Sequence, residues 1–423
     1  MAETIKMPIP EDAQVGYSLS PWAPLREPLF RSLWTAAVIS YTGTWMQNVG
    51  AGWLMTSMTM SPLKVGLVQA AATLPVFLVI LPAGALADLV DRRRLLLIAQ
   101  SWMVLASATL GVLTLLKLVT PSSLLLFTFL LGLGAVLNDP AWQAITPEIV
   151  SREQHASGVA LNSAGFNVAR AVGPALGGII VGAAGCGVTF LLNALSFFGV
   201  ILFLYHWKRP SPERVETGRV FDALRAGVGY VRRSPVVRSV LIRTGAFSVA
   251  ASAVWALLPI IARPHGPTGY GLLLGFFGSG ALLGATVLPR LRQRFSVDGV
   301  VAFAILTFAV ATFSAGRVLQ FGPLCLVMFV GGVAWIAILA CLNVAAQTMC
   351  PDWVRARALS MYLLVLQGGM AVGSAAWGAL ATRVGVPTAL LCSALALVLG
   401  MSTIRRHRLS ARDLEFAPAV VRD

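Results

Sequence analysis

Charged side chains are scarce in this chain. Asp, Glu, Lys and Arg make up 12% of its 423 residues, where a soluble chain carries about a quarter. A water-facing surface needs those charges and a lipid-facing one excludes them, so most soluble folds are ruled out. Lysine is almost missing, at Lys6, Lys64, Lys117 and Lys208, and no G-x-x-x-x-G-K-[ST] phosphate loop occurs, which excludes an ATP-driven pump. His155, His206, His265 and His407 are far apart, with no H-E-x-x-H pair; an intramembrane metalloenzyme is excluded, and no metal or other cofactor is expected. Cys186, Cys325, Cys341, Cys350 and Cys392 are odd in number and mostly inside apolar runs, which suits neither a disulfide framework nor a metal centre. Residues 1–30 are polar and proline-rich without an apolar core, so no cleavable signal peptide is expected.

Hydrophobic residues, at 57%, fill the space left by the charges. Apolar stretches near or above the roughly 20 residues that cross a bilayer fall at 31–57, 64–88, 95–117, 122–146, 155–184 and 186–206. A second set falls at 237–262, 270–289, 298–317, 321–348, 355–382 and 385–404. The gap between the fifth and sixth rests mainly on Gly182, Gly185 and Gly187. One long polar segment, 207–236, separates the sets. The expected organisation is a cytoplasmic N-terminal segment 1–30, a six-helix bundle 31–206, a cytoplasmic linker 207–236, a second bundle 237–404 and a cytoplasmic tail 405–423.

The net charge of +15 supports this count and not nucleic-acid binding. With a cytoplasmic N-terminus, inner segments hold 25 of the 32 Lys and Arg, and outer segments hold Lys64, Lys117, Arg263, Arg317 and Arg383. Arg170 and Arg243 lie within or near spans, and no Asp or Glu falls in an outer loop. A missed or extra span would scramble this positive-inside alternation from that point onward. The halves also repeat at a spacing of about 200 residues. Gly84-Ala85 with Arg92 and Arg94 answers to Gly284-Ala285 with Arg292 and Arg294, and Gly173 and Gly178 answer to Gly373 and Gly378. Duplicated six-helix halves imply a pseudo-two-fold axis along the membrane normal and a cavity between the halves, which an alternating-access transporter needs and a scaffold does not.

Two motifs carry a family resemblance over nearly the whole chain. Gly84-Ala85-Leu86-Ala87-Asp88-Leu89-Val90-Asp91-Arg92-Arg93-Arg94 resembles the loop between spans two and three of the major facilitator superfamily, with Leu89 and Asp91 departing from its usual basic residue and glycine. The resemblance implies that Gly84, Asp88, Arg92, Arg93 and Arg94 form a charge clamp at the cytoplasmic face; the plain reading is a positive-inside loop. Arg170-Ala171-Val172-Gly173-Pro174-Ala175-Leu176-Gly177-Gly178 resembles the Gly-Pro motif of the exporter branches. Gly173, Gly177 and Gly178 permit close helix approach, and Pro174 removes a backbone donor. Trp45, Asn138-Asp139-Pro140-Ala141 and the run from Asn162 to Gly178 are similar to the enterobactin-exporter, or transmembrane secretion effector, group. The resemblance implies a monomeric inner-membrane exporter of a siderophore, drug or other amphipathic small molecule, with protons as coupling ion. An importer, proton-coupled or facilitated, is the alternative; a non-transporting sensor or scaffold is more remote.

Polar residues inside spans mark the expected cavity. Ser40, Tyr41, Thr44, Gln47 and Asn48 recur at three- and four-residue steps, which places them on one helix face. Asp139, Trp142, Gln143 and Thr146 share a face in the fourth span, and Ser163, Asn167 and Arg170 in the fifth; the second half offers Trp255, Trp335, Asn343, Gln347 and Gln367. Interhelical hydrogen bonding is the plain alternative for any single Asn or Gln. Asp139 is the one acid well inside a span, roughly 12 Å from the helix end at Pro147. Charge at such depth costs about 2.5–3.5 kcal/mol. Asp139 and Arg170 are therefore either a structural ion pair, or a proton carrier and its modulator or anion anchor.

Overall fold

The computed structural model describes residues 20–207, 229, 234–348 and 350–406. The expected terminal segments and linker lie largely outside these. All regular structure among the described residues is helical. The first half holds α1 (Pro28–Met58), α2 (Pro62–Leu89), α3 (Arg92–Leu115), α4 (Pro121–Ile149), α5 (His155–Ala184) and α6 (Cys186–His206). The second holds α7 (Pro235–Ile261), α8 (Gly266–Arg294), α9 (Val297–Ala315), α10 (Phe321–Thr348), α11 (Asp352–Val384) and α12 (Val386–Gly400), with a short α13 (Ser402–Arg406) behind it.

The helix starts follow local chemistry. Pro28, Pro62, Pro121 and Pro235 open helices, at the position where a missing N–H costs nothing. Asp91, Thr120, Ser234 and Ser296 accept from backbone N–H groups of α3, α4, α7 and α9, satisfying donors that a helix end leaves free. Asp91, which departs from the family pattern, is thus a cap. The α5–α6 connection is a single residue, Gly185, at φ 83, and α11–α12 is joined the same way by Gly385, also at φ 83. Only glycine adopts that region without strain.

Eleven helices among the described residues are long and apolar enough to span a bilayer. The exception is α1. It is 31 residues long, but its polar residues hold its hydropathy below that of the others.

The two six-helix bundles repeat one another in packing. In the first, α1 packs on α5 and α6, α2 on α4, and α3 on α4 and α6; in the second, α7 packs on α11 and α12, α8 on α10, and α9 on α10 and α12. The contacts between bundles obey the same exchange, α2 with α11 and α8 with α5.

These cross-contacts are tightest toward one face, the closed face, at the ends of α1, α5, α7 and α11. A methyl on Gly66 would sit 2.6 Å from the Ser374 carbonyl, and one on Gly378 would sit 2.9 Å from the Pro62 carbonyl. Across the axis, a methyl on Gly178 would sit 2.7 Å from the Pro267 carbonyl and 2.8 Å from Gly271 Cα. Backbone meets backbone at both places because side chains are missing. Arg263 adds a clasp, its Nη2 donating to the carbonyls of Thr56 (2.6 Å) and Thr59 (3.0 Å) at the end of α1. The Leu63 N–H donates to Thr382 Oγ1 at 3.3 Å. Toward the other face, the open face, Asp139, Gln143 and Ser163 are exposed.

Candidate functional site

The neighbours of α1 sort its polar residues. Gly43 and Gly50 lie against Asn193, Ser196, Thr189 and Phe190 of α6. Thr42, Trp45 and Met46 lie against Gly173 and Gly177 of α5. Gly52 faces Tyr270 and Pro259 of the other half. The side left over carries Tyr41, Thr44 and Asn48, with Asn48 exposed and the others half-buried; these three face the space between the halves.

Gln47 does not join them, which corrects the expectation from spacing. It is buried inside the first bundle, where its Oε1 accepts from Ser107 Oγ of α3 (2.6 Å) and Asn193 Nδ2 of α6. Ser107 Oγ also lies 2.8 Å from the Phe190 carbonyl. The plainer explanation, interhelical hydrogen bonding, holds for Gln47. Ser107 and Asn193 are polar residues within apolar runs, and that signal was present in the sequence.

In α4 the same sorting separates neighbours. Gln143 and Asp139 are exposed, whereas Trp142 is 7% exposed and packs with Leu33, Leu95, Ile145, Val200 and Leu204. Trp142 is core and not cavity. Asn138 stands behind Asp139, accepting from Gln100 Nε2 of α3 at 2.9 Å and reaching Asp139 Oδ1 at 3.5 Å.

Arg170 and Asp139 make no ion pair with each other. Arg170 Nη2 donates to Asn167 Oδ1 one turn back on α5 at 3.0 Å, and its buried Nε has no partner. Asn167 Nδ2 in turn donates to the Ser163 carbonyl. Phe166 stands edge-on to the Tyr41 ring, centroids 5.2 Å apart, and Tyr41 lies within electrostatic reach of Asp139. One wall of the space therefore runs Asp139, Tyr41, Phe166, Asn167, Arg170.

The second half contributes aromatic surface. Trp335 is buried at 6% and packs among Phe247, Phe308, Phe277 and Trp255, with centroids 5.5 to 6.1 Å away; it too is core and not cavity. Trp255 is half-buried, at 5.1 Å from Phe277. Gly173 lies against Thr42 and Trp45 as Gly373 lies against Val249 and Ser252, and this common register makes Trp255 the counterpart of Asn48. Asn343 is half-buried and accepts from Gln347 Nε2 at 2.6 Å.

At the clamp, Gly84 and Asp88 belong to the last turns of α2, and their surroundings lie outside the described residues. Arg93 ties down the end of α6, donating from Nε to the Leu204 carbonyl (2.7 Å) and from Nη2 to the Tyr205 carbonyl (2.9 Å); a cation there also meets the negative end of the helix dipole. Arg92 is half-buried and Arg94 exposed. Pro174 presents its carbonyl to Gly271 at the closed face.

The sequence matches the family model described as transmembrane secretion effector over residues 19–420. The chain belongs to the transmembrane secretion effector family. It is 28% identical over 411 residues to the multidrug efflux pump Tap of Mycolicibacterium fortuitum, covering 93% of this chain and 99% of that protein. It is 27% identical to the enterobactin exporter EntS of Salmonella choleraesuis (90% and 94% covered) and 23% identical over 281 residues to the staphyloferrin A transporter of Staphylococcus aureus (66% and 71%). Its fold is similar to the inward-facing, unoccupied form of a bacterial homolog of the human lysosomal transporter Spinster, with TM-score 0.72 at 13% identity, covering 92% of this chain and 98% of that one. The fold of the POT family transporter PepTSo is also similar, with TM-score 0.75 at 11% identity, covering 92% and 99%. This member of the family is therefore a multi-pass membrane transporter with the major facilitator fold.

Proposed function

We propose that this protein is a proton-coupled exporter of an amphipathic small molecule, working as a monomer by alternating access, with its open face in the cytoplasm. The observation that carries the coupling is Asp139. It is the one acid well inside a span, it is exposed within electrostatic reach of Tyr41, and it has no cationic partner in Arg170. A carboxylate so placed can exchange protons with whichever side the cavity opens to. Export is supported by the functions of two relatives, an enterobactin exporter and a multidrug efflux pump. The orientation is supported by the charge pattern: with a cytoplasmic N-terminus, 25 of the 32 Lys and Arg fall in inner segments, as the positive-inside rule requires. On this reading 31–206 and 237–404 rock as bundles joined by the cytoplasmic linker 207–236, and Asp88 with Arg92, Arg93 and Arg94 latches the opposite state.

The test is accumulation of a panel of siderophores and drugs in cells with and without the gene, under an imposed and then a collapsed proton gradient. Lower accumulation that depends on both gene and gradient is expected. Gene-dependent higher accumulation would make the protein an importer, and indifference to the gradient would remove proton coupling.

A further inference from the structure

The neighbours of α5 leave one of its sides to the space between the halves. Gly165, Gly173 and Gly177 lie against α1, while Ala171, Ala175 and Gly178 lie against α8. Of the two sides left over, one carries the exposed apolar Val168, Val172 and Ile179 and suits lipid. The other carries Ser163, Phe166, Asn167 and Arg170, all exposed or half-buried. Helical side chains lean toward the N-terminus of their helix, so Arg170 reaches back over Asn167, to whose Oδ1 its Nη2 donates at 3.0 Å. Among the described residues that is its one side-chain hydrogen bond, and its Nε is buried without an acceptor. From the other half α8 meets this stretch of α5 with Gly275 and Gly278, which bring no side-chain acceptor. The duplication shows that the fold does not need a cation here. Gly173 and Gly373 take equivalent places against α1 and α7, so Arg170 corresponds to Met370, which is 4% exposed in the apolar core of the second bundle. Packing is met there by a neutral side chain, and the unmet donors of Arg170 mark a different task.

We propose that Arg170 is an anion subsite on the first half, with Asn167 as its positioning residue and the Tyr41–Phe166 pair beside it. The transported compound then joins a carboxylate, sulfonate or comparable oxyanion to an apolar ring or chain. This rests on the transporter reading and adds a substrate class to it. A guanidinium presents its donors in a planar fork that matches the oxygens of one oxyanion, and only one of these donors is engaged by Asn167. Phe166 lies one turn back on the same side of α5 and is 40% exposed. Its edge-on contact with Tyr41, centroids 5.2 Å apart, fixes the ring. The apolar part of the compound can lie on that ring while its oxyanion sits on Arg170. Asp139, the one acid on this wall, repels an anionic group near Tyr41 and so sets which end of the compound goes where.

A matched pair of fluorescent probes tests this in purified full-length protein in lipid nanodiscs, with empty nanodiscs subtracted. One is 8-anilinonaphthalene-1-sulfonate and the other N-phenyl-1-naphthylamine, which lacks the sulfonate. Arg170→Met, which copies the residue of the second half, and Arg170→Gln should each weaken sulfonate-probe binding about tenfold or more, the worth of a hydrogen bond to a charged group, while the neutral probe binds within about twofold of wild type. Asn167→Leu, which removes only the tether, should weaken the sulfonate probe about threefold and spare the neutral one. Unchanged sulfonate-probe affinity in a folded Arg170 variant would overturn the proposal, and so would equal weakening of both probes. Thermal unfolding of each variant separates lost binding from lost fold; should neither Arg170 variant fold, Asn167→Leu decides by the same two outcomes. The probes bind without transport, so failure here leaves the exporter reading standing. Absence of gradient-driven export by the wild type, with probe selectivity intact, would remove that reading and leave the subsite.

Discussion

Replacing Gly178 by alanine should tilt the protein away from the state seen here. The added methyl would sit 2.7 Å from the Pro267 carbonyl and 2.8 Å from Gly271 Cα, where ordinary contact begins at 3.4 Å. Both neighbours are backbone atoms and cannot rotate aside. To relieve the clash α5 and α8 must separate by roughly 0.7 Å, and overpacking of this kind costs about 1–3 kcal/mol. The cost applies only while the closed face is closed, because the methyl is free once the halves part there. The equilibrium between the two arrangements should therefore move about 5- to 150-fold toward opening of that face. Spin labels at Leu118 and Leu319, 63% and 83% exposed on opposite halves of the closed face, would read this as a longer interlabel distance in a cysteine-free background. Gly66→Ala, whose methyl would sit 2.6 Å from the Ser374 carbonyl, should act in the same direction from the symmetric contact. Gly199→Ala, with nothing within 4 Å, should leave the distances alone. Unchanged distance distributions in both folded gate variants would refute the reasoning.

Arg263→Ala removes both donors to the α1 carbonyls and should shift the same distances in the same direction by a smaller amount, with salt-insensitive folding. Asp139→Asn should insert at wild-type level, since Arg170 does not rely on it for pairing, and should abolish gradient-driven export in liposomes while leaving some downhill flux; retained uphill transport would move coupling elsewhere. Gln47→Leu strips the acceptor from Ser107 and Asn193 and should destabilise the protein by about 1–3 kcal/mol in thermal unfolding, whereas Asn48→Ala should leave stability within about 0.5 kcal/mol, as expected for an exposed position. Reporter fusions at Ser211 and at the C-terminus should be active in the cytoplasm, and periplasmic activity at Ser211 would overturn the proposed orientation.

The spans were legible because length, apolar content and glycine punctuation all agreed. The fifth and sixth, 155–184 and 186–206, were read with the bounds of α5 and α6, and Gly185 marks the break by its positive φ. The duplication was equally legible, since Gly173 and Gly373 perform the same packing against α1 and α7. The polar faces were legible only as arcs. Three- and four-residue steps gather Tyr41, Thr44, Gln47 and Asn48 on one broad side of α1, but that side meets two environments. Which part of it faces α3 and α6 depends on where those helices stand, so Gln47 went inward while Asn48 remained exposed. Trp142 and Trp335 were misplaced for a related reason. A large aromatic side chain fills a bundle core as readily as it lines a cavity, and each bundle here has an aromatic or aliphatic core of its own. Arg263 gave no sequence signal beyond being one of few cations in the loops of the closed face, because its acceptors are main-chain carbonyls of the other half.

The modest hydropathy of α1 bears on how the protein is made. A segment carrying Ser40, Tyr41, Thr44, Gln47 and Asn48 enters lipid poorly by itself, and Gln47 finds its acceptor needs met only by Ser107 on α3 and Asn193 on α6. Those helices emerge from the ribosome well after α1. During synthesis α1 must therefore wait, either beside the insertion machinery or held by the strongly apolar α2, until α6 arrives. The hydrogen bonds that fix the finished bundle thus also set an order of assembly, in which α1, made before its partners α3 and α6, settles only after them.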